Sequence, residues 1–132
     1  MSAATFNAPS PPNWVFAYGT LMKGQSRHHL LEPAEIKSVL PASLAGELLD
    51  FGEYPALRLM SSGNSRVRGE LIELGALDKV LEQIDEEEGP QFRREIVNAT
   101  ADSGETHFAW VYVIASEKSD APPIRSGSWR EK

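Results

Sequence analysis

The sequence predicts an α+β fold: a small, mostly antiparallel β-barrel of about six strands with two or more flanking helices. Six short segments are rich in strand-forming residues and are separated by turn residues. Two further segments are predicted to be helices, one from its end signals and one from its apolar spacing, and no internal repeat is present. The last strand segment, residues 106–114, is apolar on both sides, which is typical of a barrel wall with a helix packed outside it.

Composition narrows the class of protein. The chain has 132 residues, a net charge of -6 and 41% hydrophobic residues, which suits one globular domain. The acidic balance argues against nucleic acid as a partner, because phosphate contacts require a basic face. There is no cysteine, which excludes disulfides and thiolate chemistry. No apolar run reaches the roughly 20 residues that span a bilayer, so we expect a cytoplasmic protein that does not contact membranes.

Changes in composition set the expected domain boundaries. Residues 1–12 contain Pro9, Pro11 and Pro12 and are expected to form a disordered leader. Residues 13–115 are expected to form the folded domain. Residues 116–132 are a polar tail that contains prolines, in which Trp129 is the only residue expected to dock on the domain.

Each predicted strand is a short apolar or alternating segment that ends at turn residues. The first strand runs from Trp14 to Tyr18 and ends in a turn through Gly19 and Thr20. Gly69, inside the fourth strand, suggests an irregularity there. In chain order the six segments are WVFAY, ASLAGELLDF, PALRLM, SRVRGELIEL, REIVNAT and THFAWVYVI.

Two helices are predicted between the strands. The segment SRHHLLEPA is expected to begin with Ser26 as its N-cap and to end at Pro33. The second helix is expected over residues 76–87. Its Leu77, Leu81 and Ile84 are spaced by four and then three positions, which places them in one buried stripe.

An acidic run, residues 85–88, lies at the end of the second helix. Acids are disfavoured there because a helix C-terminus carries partial negative charge. Four positions beyond Ile84 lies Glu88, so this acid alone of the four is predicted to face the interior. Burial and like-charged neighbours raise the pKa of a carboxyl group, which suits a general base. The alternative is that the helix frays at Asp85 and all four acids are solvated.

The turn after the first strand is a second candidate site. Successive N–H groups at Gly19 and Thr20 can converge on one point and form an anion-binding nest. The alternative is a plain turn with Tyr18 in the core.

The other polar residues give weaker signals. The three histidines, His28, His29 and His107, lack metal-ligand spacing with the acids, and DEEEG lacks the alternating oxygens of a calcium loop. We therefore predict no metal and no cofactor. Five arginines are candidates either for binding a carboxylate substrate or for structural ion pairs: Arg58, Arg66, Arg68, Arg93 and Arg94.

Four motifs carry a family resemblance through their order and distances. They are FAYGTLMKG, GELLDFGEYPAL, VRGELIEL, and IDEEEG followed by FRREIV. From about Trp14 to Ile114 the sequence resembles the γ-glutamylcyclotransferase-like superfamily, which includes γ-glutamylcyclotransferases, γ-glutamylamine cyclotransferases and AIG2-like proteins. The resemblance implies an enzyme that acts on a small γ-glutamyl compound. The α-amine of that substrate attacks its own γ-carbonyl and releases 5-oxoproline with an amine or amino acid.

The resemblance also implies roles for particular residues. The family's catalytic glutamate precedes a glycine, which assigns the general acid/base role to Glu88. Many relatives have tyrosine at the position of Phe92. The protein would be a monomer or a homodimer. The implied substrate-binding residues are Tyr18, Gly19, Thr20, Leu21, Tyr54 and Phe92.

A second function stays open from the sequence. The same pocket in a non-catalytic module would bind a small acidic metabolite without converting it, and every motif above would be unchanged.

Overall fold

The computed structural model describes residues 11–60, 65–115 and 120–132. Most of the predicted leader, residues 1–10, lies outside this range, as do residues 116–119 of the predicted tail. The strands are β1 Trp14–Ala17, β2 Ile36–Asp50, β3 Pro55–Leu59, β4 Arg66–Leu74, β5 Phe92–Ala101 and β6 Thr106–Ile114. The helices are one α-helix, α1 Leu81–Glu88, and the 3₁₀ helices His28–Ala34, Leu77–Lys79 and Trp129–Glu131.

Five of the strands close a barrel in the order β1-β4-β2-β3-β6, and β6 returns to β1 where Val15 pairs with Trp110. The extra strand, β5, forms a hairpin with β6 and reaches β2 at Ala42 and Ser43. All extended pairings are antiparallel, while β1 with β6 and β3 with β6 are parallel at one residue pair each. The predicted α+β barrel is confirmed, with five strands in the closed ring.

The alternation of side chains along the strands divides the core into two main clusters. One cluster fills the barrel and includes Phe16 and Leu71, which are almost fully buried. The other lies between the barrel and its helices and includes Val15, Ile72 and Ile84. Adjacent residues of β1 and β4 therefore pack into different clusters, which fixes the helices against the outside of the barrel.

The predicted irregularity at Gly69 is wrong. The pairing of β2 with β4 runs without interruption through Ala42 and Gly69, and its register shifts instead between Ile36 and Ser38. Glycine is required at position 69 for another reason. A Cβ atom there would lie 2.3 Å from the carbonyl oxygen of Ala17, so the close approach of β1 leaves no room for a side chain.

The first predicted helix is a 3₁₀ helix, and it begins and ends at residues other than those predicted. It begins after Arg27, no side chain caps it, and Pro33 lies inside it. A proline is tolerated there because a short 3₁₀ helix has few N–H bonds to lose. Ser26 is therefore not an N-cap.

The second predicted helix is divided in two. A 3₁₀ turn, Leu77–Lys79, precedes α1, and Val80 joins them with a backbone φ of -116°. Val80 is buried, whereas Leu81 is only partly buried. The stripe that packs on the barrel thus comprises Leu77, Val80 and Ile84, because the break at Val80 changes the phase of the helix.

The prediction that β6 is covered on both faces holds for only part of the strand. Tyr112 and Trp110 pack in the cluster beneath the helices. Phe108 is 64% exposed, because the helices do not extend over that end of the hairpin.

The C-terminal segment docks through more than Trp129. Ile124 is buried in the barrel cluster, and its N–H donates to the carbonyl of Leu48 at 2.7 Å. Pro123 forms a bridge with Leu49 beside it. Trp129 is partly buried against both clusters. The expectation that Trp129 alone docks is wrong, because backbone pairing with β2 also holds the segment. None of the described helices combines the length and apolarity needed to cross a membrane.

Candidate active site

The seven residues to which the family resemblance gives a role all line a single pocket at the end of β1, whereas none of the five candidate arginines does. Glu88, Tyr54 and Phe92 line this pocket together with the turn after β1. Four further residues complete the lining. The full set is Phe16, Ala17, Tyr18, Gly19, Thr20, Leu21, Tyr54, Pro55, Glu88, Phe92 and Tyr112.

The turn after β1 is held by hydrogen bonds to its carbonyl groups. The carbonyl of Gly19 accepts from the Met22 N–H at 3.1 Å, and that of Thr20 accepts from the Arg27 N–H at 2.8 Å. The carbonyl of Leu21 accepts from Nδ1 of His28 at 2.9 Å. Within the described part of the chain, the N–H groups of Gly19, Thr20 and Leu21 donate to no protein acceptor. The turn therefore offers three N–H donors at the pocket.

Gly19 is required by its neighbour across the pocket. A Cβ at this position would lie 2.6 Å from Cγ of Pro55, closer than side-chain contacts allow. Pro55 is buried at the start of β3. A glycine thus lets the turn and β3 meet and keeps the backbone of the turn in the pocket lining.

Tyr18 serves mainly to hold the strands around the pocket. Its hydroxyl donates to the carbonyl of Tyr112 at 2.7 Å and accepts from the N–H of Leu57 at 3.2 Å. Burial, together with the negative charge of Glu88, raises the pKa of the Tyr18 phenol far above its ordinary value. The hydroxyl stays protonated and ties β1 to β3 and β6.

Glu88 is the last residue of α1, and its side chain is 13% exposed. Its Oε2 accepts from Nη1 of Arg27 at 3.0 Å. Burial raises the pKa of Glu88 above its ordinary value; Arg27 opposes this effect and Asp85 adds to it. The carboxyl group is thus a stronger base than an exposed glutamate.

The Asp85 side chain is 39% exposed, against 13% for Glu88, but it is paired rather than left in solvent. It accepts two hydrogen bonds from Arg94, at 2.8 and 3.0 Å, and one from the Tyr112 hydroxyl at 2.6 Å. Burial raises its pKa, but these donors outweigh burial and the net shift is downward. The guanidinium of Arg94 lies 4.4 Å from the centre of the Trp110 ring. Glu86 and Glu87 are exposed.

The acidic run is therefore neutralised from outside the helix. No basic residue lies in the last turn of α1. Arg27 and Arg94 come from other parts of the chain and supply the positive charge that a helix C-terminus favours. Solvation of all four acids does not describe the run, because Glu88 is largely buried and Asp85 is paired with Arg94. For Arg94, the structural ion pair is the observed role.

An aromatic group forms one wall of the pocket. The rings of Tyr54 and Phe92 are 6.0 Å apart, and Phe51 packs on the other side of Tyr54 at 5.5 Å. Among the described residues, no hydrogen-bond partner of the Tyr54 hydroxyl is present. Tyr54 thus supplies a free hydroxyl beside the position where Phe92 has none.

Sequence reasoning missed three residues that shape this site. Tyr112 lies in the predicted strand THFAWVYVI, and nothing in that pattern distinguishes it as a pocket residue. Pro55 and Arg27 gave no local signal, because their partners lie 36 and 61 positions away in the chain.

Comparison with known proteins shows the family to which this chain belongs. The sequence profile of the family described as "Gamma-glutamyl cyclotransferase, AIG2-like" matches residues 15–131. The chain belongs to this family. One relative, from Niallia circulans, is 35% identical over 128 residues, covering 91% of this chain and 76% of its own. It is named gamma-L-glutamyl-butirosin B gamma-glutamyl cyclotransferase.

Solved structures share the fold of this γ-glutamyl cyclotransferase family member. An AIG2-like protein from Mus musculus superposes with a TM-score of 0.69 at 20% identity, over 90% of this chain and 88% of its own. YkqA from Bacillus subtilis superposes with a TM-score of 0.71 at 24% identity. The match covers 91% of this chain but only 40% of YkqA. Family membership and the named relative support a γ-glutamylcyclotransferase-like activity.

Proposed function

We propose that this protein cyclises γ-glutamyl compounds with Glu88 as general base and acid. The nitrogen of the substrate α-amine forms a bond to the γ-carbonyl carbon, and the bond from that carbon to the amide nitrogen breaks. Glu88 takes a proton from the attacking amine and returns it to the departing nitrogen. The products are 5-oxoproline and a free amine or amino acid.

The observation that carries the proposal is the shared pocket of Glu88 and the turn after β1. The reaction needs a base beside the α-amine, whose ordinary pKa is about 7.7–8.0. An exposed glutamate is a poor match for that pKa, and burial brings the pKa of Glu88 closer to it. A positioned base contributes roughly 10²–10⁴ in rate. Holding the substrate folded in the pocket also favours the five-membered ring.

The free N–H groups of Gly19, Thr20 and Leu21 are assigned to the negative charge of the substrate. They suit either the substrate α-carboxylate or the oxygen that becomes negative as the ring closes. Backbone donors need no reorganisation during the reaction, because the turn is already held by its carbonyl hydrogen bonds.

The aromatic wall is assigned to the carbon chain of the glutamyl group. Phe92 and Tyr54 offer apolar surface, and the free Tyr54 hydroxyl gives one polar contact. This contact takes the place of the hydroxyl that many relatives carry at the position of Phe92.

The test is release of 5-oxoproline from a panel of γ-glutamyl amino acids, Nε-γ-glutamyl-lysine and γ-glutamyl-butirosin. The last is included because the Niallia circulans relative is named for it. The wild-type protein is expected to release 5-oxoproline from at least one compound, and Glu88→Gln is expected to lose that release. Glu86→Gln is the matched control, because Glu86 is exposed on the same helix turn.

Two results would reject the proposal. Equal turnover by wild type and Glu88→Gln would exclude Glu88 as the base. Thermal stabilisation of the wild type by panel compounds without any 5-oxoproline would support the non-catalytic binding module instead.

A further inference from the structure

Arg27 connects the two parts of the candidate site. Its backbone N–H donates to the carbonyl of Thr20 at 2.8 Å, which closes the loop that begins with the substrate turn. Its Nη1 donates to Oε2 of Glu88 at 3.0 Å and to the carbonyl of Glu87 at 3.1 Å. One residue thus fixes the turn at one end and the C-terminus of α1 at the other.

The contact leaves half of the carboxylate available. Arg27 is not part of the pocket lining, whereas Glu88 is. In the part of the chain that the structure describes, Oε2 of Glu88 is bonded to Arg27 and Oε1 has no hydrogen-bond partner. The guanidinium therefore holds one oxygen from outside the pocket, and the other oxygen remains free for proton transfer.

We infer that Arg27 is a positioning residue, which orients the Glu88 carboxylate toward the substrate held by the turn at Thr20. This inference deepens the proposed function and rests on it. A bridge with two acceptors suits arginine better than lysine, because the guanidinium presents several donors in a fixed plane. The same bridge satisfies a carbonyl at the end of α1, a position that favours a cation.

Four charged or titratable groups act on Glu88. Arg27 comes from the loop before the first 3₁₀ helix, Asp85 from α1, Tyr18 from the end of β1 and Tyr112 from β6. Arg27 is the only cation among them. Because it opposes the effect of burial, its removal must raise the pKa of Glu88 further.

The first measurement is the titration of the Glu88 carboxyl carbon by NMR in the free protein, with its signal identified by its loss in Glu88→Gln. Arg27→Gln is expected to move the midpoint upward by about half to one pH unit, because the Arg27 side chain is 39% exposed and partly screened. Arg68→Gln is the control. Arg68 is similarly exposed, at 44%, and pairs with Asp102 away from the pocket. It should leave the midpoint unchanged.

The second measurement separates positioning from substrate binding. Arg27→Gln and Arg27→Lys are expected to lower kcat roughly tenfold with KM nearly unchanged, because a displaced base slows the reaction without weakening binding. Arg27→Lys keeps the charge, so its Glu88 titration should stay near that of the wild type. A large rise in KM at unchanged kcat would overturn the inference, because it would make Arg27 a substrate contact.

The two measurements keep this inference distinct from the proposed function. An unchanged Glu88 titration in folded Arg27→Gln overturns the inference even if the enzyme is active. If no compound is turned over, the proposed function fails, and a shifted titration still supports the Arg27 contact with Glu88. If Arg27→Gln does not fold, Arg27→Lys decides: reduced kcat supports positioning, and wild-type kcat overturns it.

Discussion

Asp85 and Glu88 lie one helical turn apart in the same acidic run, yet their environments are opposite. Asp85 accepts three hydrogen bonds, from Arg94 and Tyr112, and its pKa is lowered. Glu88 accepts one, from Arg27, is more deeply buried, and its pKa is raised. Asp85 is therefore held as an anion that fixes the helix end, while Glu88 has the raised pKa that the proposed mechanism requires. The two pKa values thus shift in opposite directions because the two carboxylates differ in burial and in their number of hydrogen-bond donors, not because of their positions in the sequence.

Turnover should show the largest difference between the two acids. Glu88→Gln is expected to lower kcat/KM by roughly 10²–10⁴, because it removes the base while leaving its shape and its bond to Arg27 possible. Asp85→Asn is expected to lower it by about tenfold or less, since it only loosens the helix end. Release of 5-oxoproline from the best compound of the panel measures both. A larger loss of kcat/KM in Asp85→Asn than in Glu88→Gln would mean that Glu88 is not the base.

Stability should show the reverse order. Asp85→Asn is expected to lower the free energy of unfolding by about 1–2 kcal/mol, because it weakens the bonds to Arg94 and Tyr112 at a partly exposed site. Glu88→Gln at neutral pH should be at least as stable as the wild type, because burial disfavours the ionised group. Urea unfolding of both variants measures this. A Glu88→Gln protein less stable than Asp85→Asn would contradict the comparison.

The pH dependence of stability sharpens the contrast further. The lowered pKa of Asp85 contributes stability above its ordinary value of 3.8, and this is lost as pH falls through the folded-state pKa. The penalty of Asp85→Asn should therefore shrink in acid. The raised pKa of Glu88 means that stability falls as pH rises from 4.5 through the folded-state pKa. The stability of Glu88→Gln relative to the wild type should therefore increase as the pH rises through this range. Urea midpoints from about pH 3 to about pH 7 test both signs.

The smallest effect is expected from Tyr112→Phe. It removes one of the three donors to Asp85 and should cost about 1 kcal/mol, while the carbonyl of Tyr112 can still accept from Tyr18. Tyr54→Phe removes a hydroxyl from another residue of the pocket lining and serves as the matched control, with no expected loss of stability. Equal destabilisation by the two variants would mean that the bond to Asp85 contributes nothing.

Much of the fold can be predicted from local patterns of apolar and polar residues in the sequence. Short apolar or alternating segments located all six strands, although β2 begins at Ile36 and not at Ala42, and apolar spacing located the helix that ends in the acidic run. The errors arose where distant contacts override local preference. Gly69 looked like a strand irregularity because the approach of Ala17 is not visible in the sequence. Ile124 looked like part of a polar tail because its partner Leu48 lies far away in the chain.

The candidate site divides in the same way. The sequence by itself determined that Glu88 extends the buried stripe of its helix and that a glycine turn follows β1. Only the tertiary structure decided that the two meet in one pocket, that Asp85 is neutralised by Arg94, and that Arg27 bridges the turn and the helix end. The physical reason is that periodicity reports the side of an element that is buried. The pKa of a group depends instead on the charges around it, and a pocket depends on the residues that line it. Both sets of residues come from distant parts of the chain and meet only when the barrel closes.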